Sequence, residues 1–186
     1  MNSSIRLQRN SIGPWVGTGG GGAGATSMLF TDTIRVDDMD FEGGATLTDF
    51  VTPVNSKRYR AIFMPKGSDV HFDTPLHTKY DGTGITLAMH WQVIDGSHGT
   101  PQACKYQARF FRSGDALDVA YTQRNFTLQA DGANYIKYID TTVLTIEGVY
   151  AANSDLYLTF FDPVTNPVSG GLYLLSMQLR YAITIP

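Results

Sequence analysis

The chain has 186 residues, 42% hydrophobic and 12% aromatic, enough for one domain with a sizeable core. Only 17% are charged, against roughly 25% in ordinary soluble domains, so much of the surface is neutral polar or is covered by another chain. A formal net charge of −3 argues against nucleic acid as the main partner, and no apolar run is long enough to predict a membrane span.

Residues 1–27 differ from all that follow. They hold Arg6 and Arg9, no acidic residue and few aliphatics. Such a segment cannot bury enough apolar area to offset its ordering entropy, and reads as an extended N-terminal arm. Its GPWVGTGGGGAGA stretch satisfies G-x-G-x-x-G on paper. A phosphate loop needs a buried strand before it and a helix after it, so that aligned N–H groups meet the anion. Here the upstream stretch is polar, ATSMLFTDTIRV downstream reads as a strand, and no Gly-Lys-Ser/Thr follows. Gly19, Gly20, Gly21 and Gly22 therefore read as a hinge. On the arm, Arg6 and Arg9 suit acidic partners, and Leu7, Ile12 and Trp15 suit apolar anchoring in an interface. The start, MNSSIRLQRNS, lacks the apolar stretch of a signal peptide, so synthesis in a cytosol is expected.

From Met28 onward the period becomes two. MLFTDTIRV, KRYRAIFM, the alternating run from Ile85 to Val93, ACKYQARFF, VAYTQRNFTLQ, YIKYIDTTVLTIEG and DLYLTFF read as strands. Turn clusters (MPKGSD, YDGTG, DGSHGTP, RSGDA, DGAN, DPVTNPVSGG) separate them. In the closing strand, Tyr173, Leu175, Met177, Leu179, Tyr181, Ile183 and Ile185 are expected on one apolar face, and Ser176, Gln178, Arg180 and Thr184 on the other. No segment has a capped 3.6-residue period. The expectation is an all-β, jelly-roll-like antiparallel sandwich over residues 28–186.

Three chemistries deserve a test against this frame. His71-Phe72-Asp73 with His98 has the outline of an Fe(II) facial triad. The spacing is short, however, no Arg-x-Ser follows His98, and the usual reading of such residues is a solvated loop. Asp38, Asp40, Glu42 and Gly43, with Asp49 downstream, outline a calcium loop lacking its last Glu and its flanking helices; a solvated acidic turn is the plainer reading. Lone Cys104 rules out an internal disulfide, fits a reducing compartment, and sits in a strand as a small buried side chain rather than a nucleophile. No catalytic residue, metal or cofactor is assigned.

SDLYLTFFDPVTNPVSGGLYLLSMQLRYAITI has a hydrophobic strand ending in Phe-Asp-Pro, a Gly-rich turn and a long last strand containing Arg-Tyr. It resembles the closing hairpin of β-sandwich domains in tailed-bacteriophage structural proteins, both capsid decoration (cement) proteins and fibre or knob proteins. The resemblance implies a homotrimeric jelly roll in the virion whose arm grips the major capsid protein or another virion protein. Arg6, Leu7, Arg9, Ile12 and Trp15 would then be the attachment residues, and multivalent contact would stabilise the shell. The alternative is a receptor-binding knob whose loops, such as DGSHGTP or DGANY, contact cell-surface glycan. A jelly-roll metalloenzyme using His71, Asp73 and His98 is the rival from another class.

Overall fold

The computed structural model describes residues 26–92, 102–116, 119–129, 137–151, 154–161 and 172–185. Arg6, Leu7, Arg9, Ile12, Trp15, the glycines 19–22, His98 and the loops DGSHGTP and DGANY lie outside the described residues.

Eleven strands are described: β1 (Thr26–Arg35), β2 (Asp40–Glu42), β3 (Thr46–Val51), β4 (Arg58–Met64), β5 (Asp69–Pro75), β6 (Thr86–Gln92), β7 (Gln102–Phe111), β8 (Arg124–Leu128), β9 (Tyr138–Val143), β10 (Asp155–Phe161) and β11 (Leu172–Ile185). One sheet runs β3-β4-β11-β6-β9, with β1 also on β11; the other runs β2-β5-β10-β7-β8. All pairings between strands are antiparallel. The eight strands from β4 onward form β4-β11-β6-β9 against β5-β10-β7-β8. That is the strand order of a jelly roll, with β1, β2 and β3 added, and the fold class is the one expected from the sequence.

Alternation produces the core. Ile62, Met64, Leu87, Met89, Trp91, Leu174, Met177 and Leu179 of one sheet meet Val70, Phe72, Tyr106, Leu156, Leu158 and Phe160 of the other. Each fully buried side chain of this size contributes about 1.5–3 kcal/mol. Trp91 is fully buried, and its Nε1–H donates to Asp140 Oδ2 at 2.7 Å, so its one polar atom is satisfied. Cys104 is buried in the same core, as expected from its strand.

One local expectation is corrected. In β11 the pairing with β6 shifts register between Leu174 and Ser176, a β-bulge. The extra residue reverses the alternation, so Leu172 and Leu174 join the core while Tyr173 faces outward beside Phe63. Tyr173 and Leu175 therefore do not share the face of Met177 and Leu179. The acidic side chains of residues 37–42 are exposed, in keeping with the solvated turn expected of them, and part of the stretch is paired as a strand. Val36–Asp38 forms a 3-10 turn, and Asp40–Glu42 pairs with β5 as β2. Arg60 bridges Asp37 and Asp49, the latter at 3.7 Å, so of the four carboxylates in the calcium-loop outline Asp49 is held in an ion pair. After β2 the chain turns at Gly43, φ +66°, where a Cβ would lie 2.8 Å from Gly67 O and Ser68 Cα. Only glycine fits that approach.

Candidate functional site

Each sheet turns one face to the other sheet and one face outward. All described strands belong to the two sheets, so no described strand covers either outer face. On β6 the core takes Leu87, Met89 and Trp91, leaving Ala88, His90 and Gln92 outward. These three are nonetheless buried: His90 is 7% exposed and Gln92 3%. Their flanks are open. Ile139, Thr141 and Val143 of β9 are exposed on one side, and Thr33 and Arg35 of β1 on the other, beyond half-buried Ser176 and Gln178 of β11. The outer face of the six-stranded sheet thus has a buried row along β6 between exposed flanks, a strip we call the trough.

Register fixes its lining. Ser176 lies beside His90, which lies beside Ile139; Gln178 lies beside Ala88, then Thr141; Arg180 lies beside Thr86, then Val143. Arg180 donates to Gln178 Oε1 at 3.0 Å, and Gln178 Nε2 reaches Thr33 Oγ1 at 3.5 Å, so the polar side chains form a chain across β11. At the Gln92 end, Tyr173 stands between Gln92 and Phe63. Its ring is 5.0 Å from Phe63 and 5.9 Å from Phe50, which stacks on exposed Tyr59 at 5.4 Å and 16°. None of these four rings belongs to the central core. They form a separate aromatic patch continuous with the polar floor.

Two floor atoms are unusual. His90 Nε2 and Gln92 Nε2 are buried and make no hydrogen bond among the described residues. A buried donor without a partner costs about 1–3 kcal/mol, so native structures seldom keep one without a use for it. Burial pushes the His90 pKa down to about 4, and the nearby charges of Lys137 and Arg180 push it the same way. The imidazole is therefore neutral at pH 7 and can accept or donate one hydrogen bond according to tautomer.

A second concavity, of about 320 Å³, lies at the sandwich edge, lined by Phe30, Asp32, Thr74, Pro75, Leu76, His77, Thr78 and Tyr181. Phe30 contacts His77 at 5.1 Å and Tyr181 at 5.4 Å. The His77 backbone N–H donates to the Tyr181 hydroxyl at 3.1 Å, and burial raises the Tyr181 pKa to about 12. Lys79 N–H donates to His77 Nδ1, which assigns the proton of the neutral ring to Nε2. This cleft is lined mostly by rings and aliphatic groups, and the Tyr181 hydroxyl and His77 Nδ1 in it each accept a hydrogen bond.

The sequence candidates are scattered. His71 and Asp73 share the outer face of the five-stranded sheet, with His71 beside Tyr157 at 6.1 Å, whereas His90 lies on the opposite sheet. Among the described residues no three His, Cys, Asp or Glu side chains are grouped to hold a metal. That same outer face carries Tyr121 and Tyr157 stacked at 6.2 Å, with the Arg109 guanidinium 5.9 Å from Tyr121 and 5.5 Å from Phe111. Sequence reasoning assigned no role to His90, Gln92 or Tyr173. The signal was present in ITLAMHWQV, where every second residue is apolar and the intervening ones end in His and Gln.

No family model matches the sequence, and no curated protein does. Solved structures with similar folds include a Paenibacillus sp. cycloisomaltooligosaccharide glucanotransferase complexed with cycloisomaltoheptaose, at TM-score 0.49 and 11% identity. That match covers 78% of this chain but 18% of the enzyme. A family 35 carbohydrate-binding module of Paenibacillus barcinonensis matches at TM-score 0.49 and 6% identity, over 81% of this chain and 97% of that one. Another family 35 module, from Clostridium thermocellum, matches at TM-score 0.45 and 8% identity, over 81% and 97% of the two chains.

Proposed function

We propose that the chain is a non-catalytic saccharide-binding domain whose site is the trough on the outer face of the six-stranded sheet. The observation that carries this reading is the pair of buried side chains His90 and Gln92, each with an unpartnered Nε2 among the described residues, beside an aromatic patch. A saccharide offers hydroxyls that donate and accept hydrogen bonds and C–H faces that pack on rings. His90, Gln92, Ser176 and Gln178 supply the first kind of contact, and Tyr173, Phe63 and Tyr59 the second. A site whose buried polar groups gain partners only on binding discriminates strongly against ligands lacking them. Among the described residues, no outward-facing strand residue of this face is a carboxylate, so the pair of acids that glycoside hydrolysis needs is not on it.

The test is a glycan array followed by calorimetric titration of the best ligand against wild type, Gln92→Met and Tyr173→Ala. Saturable binding, weakened at least about tenfold in each variant, supports the reading. Binding that both variants retain would move the site elsewhere.

A second reading keeps the domain in a virion as a decoration protein, with the same face against protein. Leu29, at 66% exposure, Ile139 and Val143 favour it as exposed apolar residues on the trough flanks. Light scattering on the full chain tests the expected trimer, and a monomer at all concentrations would count against it.

A further inference from the structure

The two outer faces of the sandwich are charged differently. On the five-stranded sheet, Asp40, Glu42, Asp69, Asp73 and Asp155 face outward with Lys105 and Arg109. Asp69 titrates above the usual carboxylate range, chiefly through burial and then through the nearby charge of Glu42. On the six-stranded sheet the outward-facing strand residues are Thr, Ser, Ala, Leu, Ile, Val, Gln, His and aromatic, with Arg35 and Arg180 as the charged ones. Lys137, one residue before β9 and in phase with Ile139, adds a third cation at the Gln92 end. Asp81 lies beyond the other end, in the turn before β6, where its carboxylate accepts from the Thr83 backbone and hydroxyl at 2.9 and 2.6 Å. So in a chain of net charge −3 the trough, among the described residues, carries cations and no carboxylate.

Its polar floor is also rich in donors. The Gln92 amide nitrogen has hydrogens to give and no acceptor among the described residues, and His90 Nε2, two residues away along β6, also lacks a partner there and can donate in its Nε2–H tautomer. Arg180 presents five donors and spends one on Gln178. A neutral sugar satisfies donors and acceptors about equally, whereas this lining asks for acceptors and negative charge. Anionic oxygens answer both needs, because charge-assisted hydrogen bonds are roughly twice as strong as neutral ones.

We infer that the trough selects an acidic saccharide, one carrying carboxylate or sulfate, with Arg180 and Lys137 as the residues that read its charge and Gln92 and His90 as donors to its oxygens. This rests on the saccharide reading of the same site. Selection for charge is the added claim. Lys105, on the opposite sheet and bonded to Gln123 at 3.2 Å, serves as a control for general attraction to the protein.

The experiment titrates the full chain with three forms of one polymer: dextran, carboxymethyl-dextran and dextran sulfate. The expected result is binding of one or both charged forms at least about tenfold tighter than dextran, weakening as salt is added. Arg180→Met and Lys137→Met should each remove most of that preference, with Lys105→Met like wild type. Lys137 is exposed and outside a strand, so its variant reports even if Arg180→Met folds poorly. The relative affinities of the two charged forms tell carboxylate from sulfate. Equal binding of all three forms, lost in Gln92→Met, would overturn the charge inference and leave the saccharide site standing. Charged-form binding that survives Arg180→Met and Lys137→Met, or falls with Lys105→Met, would overturn it as non-specific attraction. Binding of no form here, together with an array on which no saccharide binds, would sink both.

Discussion

Gln92→Met should make the protein more stable and its ligand binding weaker. The Gln92 side chain is 3% exposed, and its amide nitrogen has no acceptor among the described residues. Leaving such a donor dry costs about 1–3 kcal/mol, against about 1 kcal/mol for any hydrogen bond that the amide oxygen accepts. Methionine keeps the length and flexibility of the side chain, so no cavity opens. The net is a gain of about 1 kcal/mol, which for a domain this long raises Tm by roughly 2–4 °C. Thermal and urea unfolding would read it, with the urea midpoint rising at constant slope. Gln107→Met provides the contrast. Gln107 Nε2 donates to the Tyr121 carbonyl at 3.4 Å, so that variant should lose stability. If Gln92→Met instead lowers Tm by several degrees, Gln92 is satisfied in the free protein, and the trough loses its main mark of a ligand site.

Three further outcomes follow from the packing. His90 has a folded pKa of about 4 against 6.5 unfolded, so its contribution is fully present above pH 6.5 and is lost as pH falls toward 4. The drop is roughly 2–3 kcal/mol, and a pH series of Tm values should show it in wild type and not in His90→Leu. Gly43→Ala should cost about 2–3 kcal/mol, because φ is +66° and the new Cβ meets Gly67 O and Ser68 Cα at 2.8 Å; urea unfolding measures it, and a neutral result would mean the β2–β3 turn is built differently. Trp91→Phe should cost about 3 kcal/mol, from lost volume and from the hydrogen bond that Asp140 Oδ2 accepts, leaving that oxygen only the Gln129 N–H. The same measurement on Trp91→Phe/Asp140→Asn should recover part of it.

Much of the architecture was legible because the strands declare themselves by alternation. DLYLTFF is β10 residue for residue, and KRYRAIFM loses only its first residue to the preceding turn. β2 and β3 were not read, because DFE is three residues long and TLTDFV carries Asp49 where an apolar residue would complete the pattern. The strand order was beyond the sequence, since it depends on which edges meet after β4 and β5 diverge into different sheets. The bulge after Leu174 hid the outward turn of Tyr173 for a related reason: one inserted residue changes the phase without changing the composition. The site itself was missed because His90 and Gln92 sit in a strand that reads as an ordinary half-buried one. Their burial on the outward face arises only when β11 and β9 flank β6 in space. The arm residues Arg6, Leu7, Arg9, Ile12 and Trp15 remain a proposal for attachment, tested by the solution mass of the full chain against a chain starting at Met28.

The most direct test is a nuclear magnetic resonance titration of the labelled full chain with the strongest saccharide from the array. The trough predicts that the Gln92 side-chain amide and the backbone amides of Ala88, His90, Ser176 and Gln178 shift together and saturate at one affinity, while those of His71 and Tyr157 stay still. Shifts confined to the five-stranded sheet, or to Phe30, His77 and Tyr181 at the edge cleft, would place the ligand elsewhere and contradict the assignment.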